Sequence, residues 1–125
     1  MDRKQILKSC LDIIHGISDK EYQVRVWIEE KGPEVDDFDE TVCNFFQDCD
    51  GILDKYKEFG LTDKQYLLLK DFRDNFEVFA DDNVWPPEFI DSPRWTKITE
   101  QAKAVLEAFN YAKREYIKLS KPEIT

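Results

Sequence analysis

The side chains of this chain that could do chemistry are mostly carboxylates. Asp36-x-x-Asp39, Asp37-x-x-Glu40 and Asp71-x-x-Asp74-x-x-Glu77 hold acids three positions apart, a spacing that puts them on one helical face where they could share a hard cation such as magnesium. The other parts of a catalytic or metal site are scarce. An EF-hand loop needs glycine at its sixth position and a bidentate glutamate at its twelfth; a loop starting at Asp37 has Val42 at the sixth, and one starting at Asp48 has Leu53. Carboxylate-bridged dimetal bundles use two Glu-x-x-His pairs, and the chain has one histidine, His15. Five residues from Cys10 on the same predicted helix, His15 points away from the thiol it would have to activate. No glycine-rich phosphate loop and no Cys-x-x-Cys pair occurs.

Whatever these carboxylates do, helices must position them. Ile6, Leu7, Cys10, Leu11, Ile13, Ile14 and Ile17 recur at three- and four-residue steps, predicting a first helix from Arg3 to Ile17 with His15 at its fraying end. Ser18-Asp19-Lys20-Glu21 reads as a capping box opening a second helix from Asp19 to about Lys31, which Gly32 and Pro33 stop. Within it Tyr22, Val24, Val26 and Ile28 alternate as in a half-buried strand, but the box, the stop and the lack of a second strand to pair with favour helix. Phe38, Val42, Phe45, Phe46, Cys49, Ile52, Leu53, Tyr56 and Phe59 keep helical phase across Gly51 up to Gly60. Thr62 and Gln65 form a further capping box, with Leu61 and Tyr66 as its staple, for a helix to about Phe79. Residues 80–92, ADDNVWPPEFIDS, predict one long irregular connection pinned by Trp85, Phe89 and Ile90. Ser92 and Pro93 then start a last helix running to about Leu119 through Ala112 and Tyr116. The expected fold is all-α: a single helical domain over residues 1–125, a bundle of about five helices with a long proline-containing loop before the last.

Residues 34–91 carry 17 acids and 5 bases, within a chain of net charge -9, whereas residues 92–121 carry 3 acids and 7 bases. An acidic middle repels a phosphate backbone and attracts a basic protein, so a basic protein partner is expected and direct nucleic-acid binding is not. One or two acids suffice to complement a helix N-terminus. Glu34, Asp36, Asp37, Asp39 and Glu40 exceed that, and Asp48, Asp50 and Asp54 follow on the same helix, with Asp81 and Asp82 in the later connection. These residues, with Trp85 and Phe89 as aromatic anchors, are the candidate partner-binding set; the competing role of the two aromatics is to pin the connection to the core.

The spacing of Asp71, Asp74 and Glu77 matches the magnesium site of all-α nucleotide pyrophosphohydrolases, which is the enzymatic alternative. Those sites use longer Glu side chains, however, and in a chain with 27 acids pairs three apart arise readily. A third possibility is a structural subunit that docks through Lys113, Arg114 and Lys118. No catalytic residue, metal or cofactor is expected. Cys10, Cys43 and Cys49 read as reduced core thiols of a cytoplasmic protein, and neither a secretory signal nor a membrane span is expected.

The segments RVWIEEKGPEVDDFDETVCNFF and FIDSPRWTKITEQAKAVLEAF, in a small acidic chain, resemble bacterial immunity proteins that neutralise a cognate toxin, including those of contact-dependent inhibition systems. The resemblance implies a mechanism in which carboxylates occupy the basic, phosphate-binding cleft of a nuclease toxin, or a basic surface on a toxin of another class. These proteins share no universal motif, so no residue role is carried over from them.

Overall fold

A computed structural model describes residues 2–111, in the order α1 (Arg3–Ser18), α2 (Lys20–Tyr22) running into a π-helix (Gln23–Ile28), α3 (Phe38–Asp54), α4 (Asp63–Asp82), a short α5 (Pro86–Phe89) and α6 (Pro93–Ala108). No strand occurs among the described residues. Counting α2 with its π-helical continuation and setting the four-residue α5 aside, five helices among the described residues make the expected all-α bundle: α1 packs on α3 and α6, and α4 on α6 and α3.

Several starts follow the sequence rules directly. Thr62 accepts from the Gln65 amide while Gln65 accepts from the Thr62 amide, completing the predicted box of α4. Ser92 Oγ accepts from the Trp95 amide at 3.2 Å, with Pro93 in the first helical position. The second helix departs from expectation at both ends, starting one residue later and stopping at Ile28 rather than near Lys31. Asp19, not Ser18, is the cap, accepting from the Tyr22 amide, and the Ser18 hydroxyl turns back to the His15 carbonyl.

The strand-like alternation of residues 22–28 is not used as such. A strand would bury Tyr22, Val24, Val26 and Ile28 together, whereas the π-helix buries Gln23, Val26 and Trp27. Its widened turn is closed by the Glu29 amide on the Val24 carbonyl at 2.8 Å. Gln23 is fully buried and fully bonded: its amide donates to the Gly16 and Ile17 carbonyls at the end of α1, and its oxygen accepts from Trp95 Nε1 at 2.9 Å. One polar side chain thus joins α1, the π-helix and α6 without leaving a buried group unsatisfied.

Phe45, Phe72 and Phe76 fill the α3–α4 interface, and at one end Trp27, Phe38, Phe76, Phe79, Phe89 and Trp95 cluster with ring centroids 4.9 to 6.5 Å apart between neighbours. That cluster brings together the start of α3, the end of α4, α5 and the start of α6. Two corrections concern this end of the chain. The connection expected over residues 80–92 is shorter and more ordered, because α4 continues to Asp82 and Pro86–Phe89 is helical. The last helix ends at Ala108 rather than near Leu119: Asn110 takes a left-handed conformation (φ 54), and the Tyr111 and Asn110 amides close on the Leu106 and Glu107 carbonyls, both at 3.0 Å. Asn tolerates that conformation better than most residues, which makes a Schellman stop available here without glycine. Lys113, Arg114 and Lys118, and the expected continuation through Ala112 and Tyr116, lie outside the described residues.

Cys10 and Cys49 are buried, as expected of core thiols, but Cys43 is exposed. His15 is half-buried, its ring 5.6 Å from that of Tyr111. No helix of the described residues is long and apolar enough to cross a membrane.

Candidate functional site

The acids of residues 34–40 divide into those the fold uses and those it leaves in solvent. Asp36 is half-buried, and one of its carboxylate oxygens accepts from Tyr22 Oη at 2.7 Å, Trp27 Nε1 at 3.2 Å and Thr41 Oγ1 at 3.1 Å. It therefore ties the π-helix to the start of α3. Burial, reinforced by this carboxylate, holds the Tyr22 phenol well above its usual range. Glu34 forms a bidentate pair with Arg25 at 2.7 and 3.0 Å, and the guanidinium holds the Glu34 carboxyl down to about 2. Gly32, at φ 102, leaves room for that pair, since a Cβ there would meet Arg25 Nη1 at 2.1 Å. Asp37 caps α3 through the Glu40 amide at 2.8 Å. Only Asp39 and Glu40 of the five project from the first turn as exposed carboxylates without a cation partner among the described residues. Three donors of this chain already hold Asp36, which gives it a structural role within the fold.

The same division runs along the bundle. Asp48 accepts from Ser9 Oγ at 2.8 Å, whereas Asp54 is exposed. Asp50 accepts from Arg73 Nε at 2.9 Å, and Arg73 also pairs with Asp74 and Glu77 at 3.1 and 2.9 Å. The acids spaced for magnesium on α4 thus do converge, with help from α3, but the cation between them is a guanidinium. Their carboxylates, Asp50 first, raise the Arg73 pKa, and Lys70 together with Arg73 lowers that of Asp74. Asp71, the first acid of that series, is exposed and is not among the carboxylates on Arg73. Among the described residues, no group of three or more His, Cys, Asp or Glu side chains is arranged to hold a metal ion.

Around α5 the two proposed aromatic anchors separate. Phe89 is buried against Phe38, Phe79 and Trp95, and so does the pinning that was its competing role; it cannot also reach a partner. Trp85 is 58 % exposed. Asp81 is exposed without a cation partner among the described residues, and Asp82 has Arg94 at 3.8 Å. Because the Phe38 and Phe89 rings lie 4.9 Å apart, the start of α3 adjoins α5, so Asp39 and Glu40 belong to the same end of the molecule as Asp81, Asp82 and Glu88.

Two features escaped sequence reasoning. Val78 and Val84 are exposed beside this acidic end; Val78 is out of phase with the buried series Leu69, Phe72, Phe76 and Phe79, which was the available signal. An open groove of about 1030 Å³ is also lined by α1 together with Tyr22, Asp36, Phe109 and Tyr111. It is assembled by tertiary contacts with no local sequence mark. Comparison with protein-family models, curated proteins and solved structures finds no match to this chain.

Proposed function

We propose that this chain is a binding protein rather than an enzyme, and that its acidic surface engages a basic protein. The observation that carries this reading is the presence, within the acidic middle, of exposed carboxylates that have no cation partner among the described residues, Asp39, Glu40, Asp54, Asp71, Asp81 and Glu88 among them. Like charges left in solvent repel one another and lower stability, while a surface of one sign steers an oppositely charged protein and raises its association rate. The turning of Asp50, Asp74 and Glu77 onto Arg73 supports the non-enzymatic side of the reading, since it engages the carboxylates best spaced for magnesium.

The specific partner we propose is a toxin, neutralised in the cytoplasm as in the immunity proteins the sequence resembles, with carboxylates covering a basic cleft. Affinity capture from the native cell, followed by mass spectrometry, tests it. Recovery of a basic protein whose toxic activity is suppressed by this chain supports the proposal. Recovery of only acidic proteins, or of a basic protein whose activity is unchanged, overturns the corresponding part of it.

A further inference from the structure

Of the three tryptophans, Trp27 and Trp95 are buried and Trp85 is not. Its exposure does not come from a loose mount. Trp85 caps α5, whose Pro86 and Phe89 are buried, and two residues before it the Asn83 side-chain Nδ2 donates to the Phe79 carbonyl at 3.0 Å. Two successive prolines restrict the backbone directly after it. A large aromatic surface held this way costs little conformational entropy when a partner covers it. Val84 precedes it, 69 % exposed, and Val78 lies one turn before Asp81 and Asp82 on the same helix.

The charges around this apolar corner contradict local helix electrostatics. α4 ends in Asp81 and Asp82 and has no basic residue in its last turn. Carboxylates there face the negative end of the helix dipole, beside carbonyls that lack helical partners. Glu88 adds a third acid from α5, and Arg94, at 3.8 Å from Asp82 and stacked over the Phe79 ring, is the cation at hand. An arriving lysine or arginine would satisfy both the carboxylates and the helix end.

We infer that this corner is the docking surface for a basic segment of a partner protein, with an apolar side chain laid on Trp85 and Val84 and cations paired to Asp81, Asp82 and Glu88. The inference rests on the reading of a basic partner given above and adds where that partner binds. The start of α3 is the competing surface, but Glu34, Asp36 and Asp37 are already engaged within the chain.

The test is an amide chemical-shift titration of the full chain with a short synthetic peptide alternating lysine and leucine pairs, with its glutamate-leucine counterpart as control. The expected result is saturable shifts centred on residues 78–88 and the Trp85 indole N–H, weakened about tenfold in W85A and in the D81N/D82N double variant, and absent with the acidic peptide. Shifts centred on residues 34–40 with 78–88 unmoved would overturn this surface and leave the basic-partner reading standing. Undiminished binding by W85A would overturn it equally. Absence of any saturable shift with the basic peptide would overturn both.

Discussion

Replacing Asp36 separates the structural from the recognition role of the acidic segment. In Asp36→Ala the indole of Trp27 and the hydroxyl of Thr41, on residues 7 % and 5 % exposed, lose their carboxylate acceptor together with the Tyr22 hydroxyl. Hydrogen bonds to a charged group contribute about 1.5–3 kcal/mol each, and bonds sharing one acceptor are not additive. Water reaches the half-buried carboxylate, so the expected loss is about 2–4 kcal/mol. For a chain between the small and mid-size ranges that is roughly a 10 °C fall in Tm. Asp36→Asn keeps a neutral acceptor and loses about 1–2 kcal/mol. Asp39→Ala, exposed in the first turn of α3, loses only about 0.3–1 kcal/mol of dipole interaction. Urea unfolding followed by far-ultraviolet circular dichroism measures all three. A loss for Asp36→Ala within about 0.5 kcal/mol of that for Asp39→Ala would refute the assignment. Charge reversal at Asp36 is therefore a poor probe of partner binding, because it also unpins the π-helix from α3.

Phe89→Ala is expected to lose about 3–5 kcal/mol as a deletion from the aromatic cluster, while Trp85→Ala loses less than about 0.5 kcal/mol; equal losses in thermal unfolding would contradict the division of labour between them. The Asp81→Asn/Asp82→Asn double variant is expected to gain about 0.3–1 kcal/mol per site, read as a higher urea midpoint, because it removes charge from the wrong end of α4; a loss would contradict the electrostatic conflict assigned there. Glu34 is expected to titrate at about 2 rather than its ordinary 4.5 in side-chain carboxyl NMR. Since its folded pKa is depressed, the stability from its pairing with Arg25 is present above pH 4.5 and disappears as pH falls from there toward 2, so the difference between wild type and Glu34→Gln must narrow over that window; a Glu34 midpoint near 4.5 would contradict the pairing.

Local signals that act over one turn were legible. The Thr62/Gln65 box, the Ser92-Pro93 start and the phase of α3 across Gly51 all depend on residues three or four apart and appear as read, although α3 stops at Asp54 and residues 55–60 form turns instead of carrying the helix to Gly60. What was not legible depends on partners far along the chain. Nothing near Asp36 shows that Tyr22 and Trp27 will reach it, so it looked like one more surface acid. No neighbouring residue marks Gln23 as buried, because its partners are the end of α1 and Trp95, 72 residues away. Residues 22–28 are helical as the capping signal favoured, with Gln23, Val26 and Trp27 buried at three- and four-residue steps; the strand-like alternation of Tyr22, Val24, Val26 and Ile28 misleads because a polar residue, Gln23, holds the first buried position. Phe89 and Trp85 are four residues apart in one proline-rich stretch, and only the cluster around Trp95 decides which of them is core.

The central claim, that carboxylates unpaired within the fold serve to attract a basic protein, is tested most directly by association kinetics with the basic protein recovered by affinity capture, measured across ionic strength. The account predicts a rate that falls steeply as salt rises, with Asp81→Lys/Asp82→Lys slowing association and flattening that dependence while leaving the urea midpoint no lower than wild type. A rate indifferent to both salt and charge reversal would contradict it.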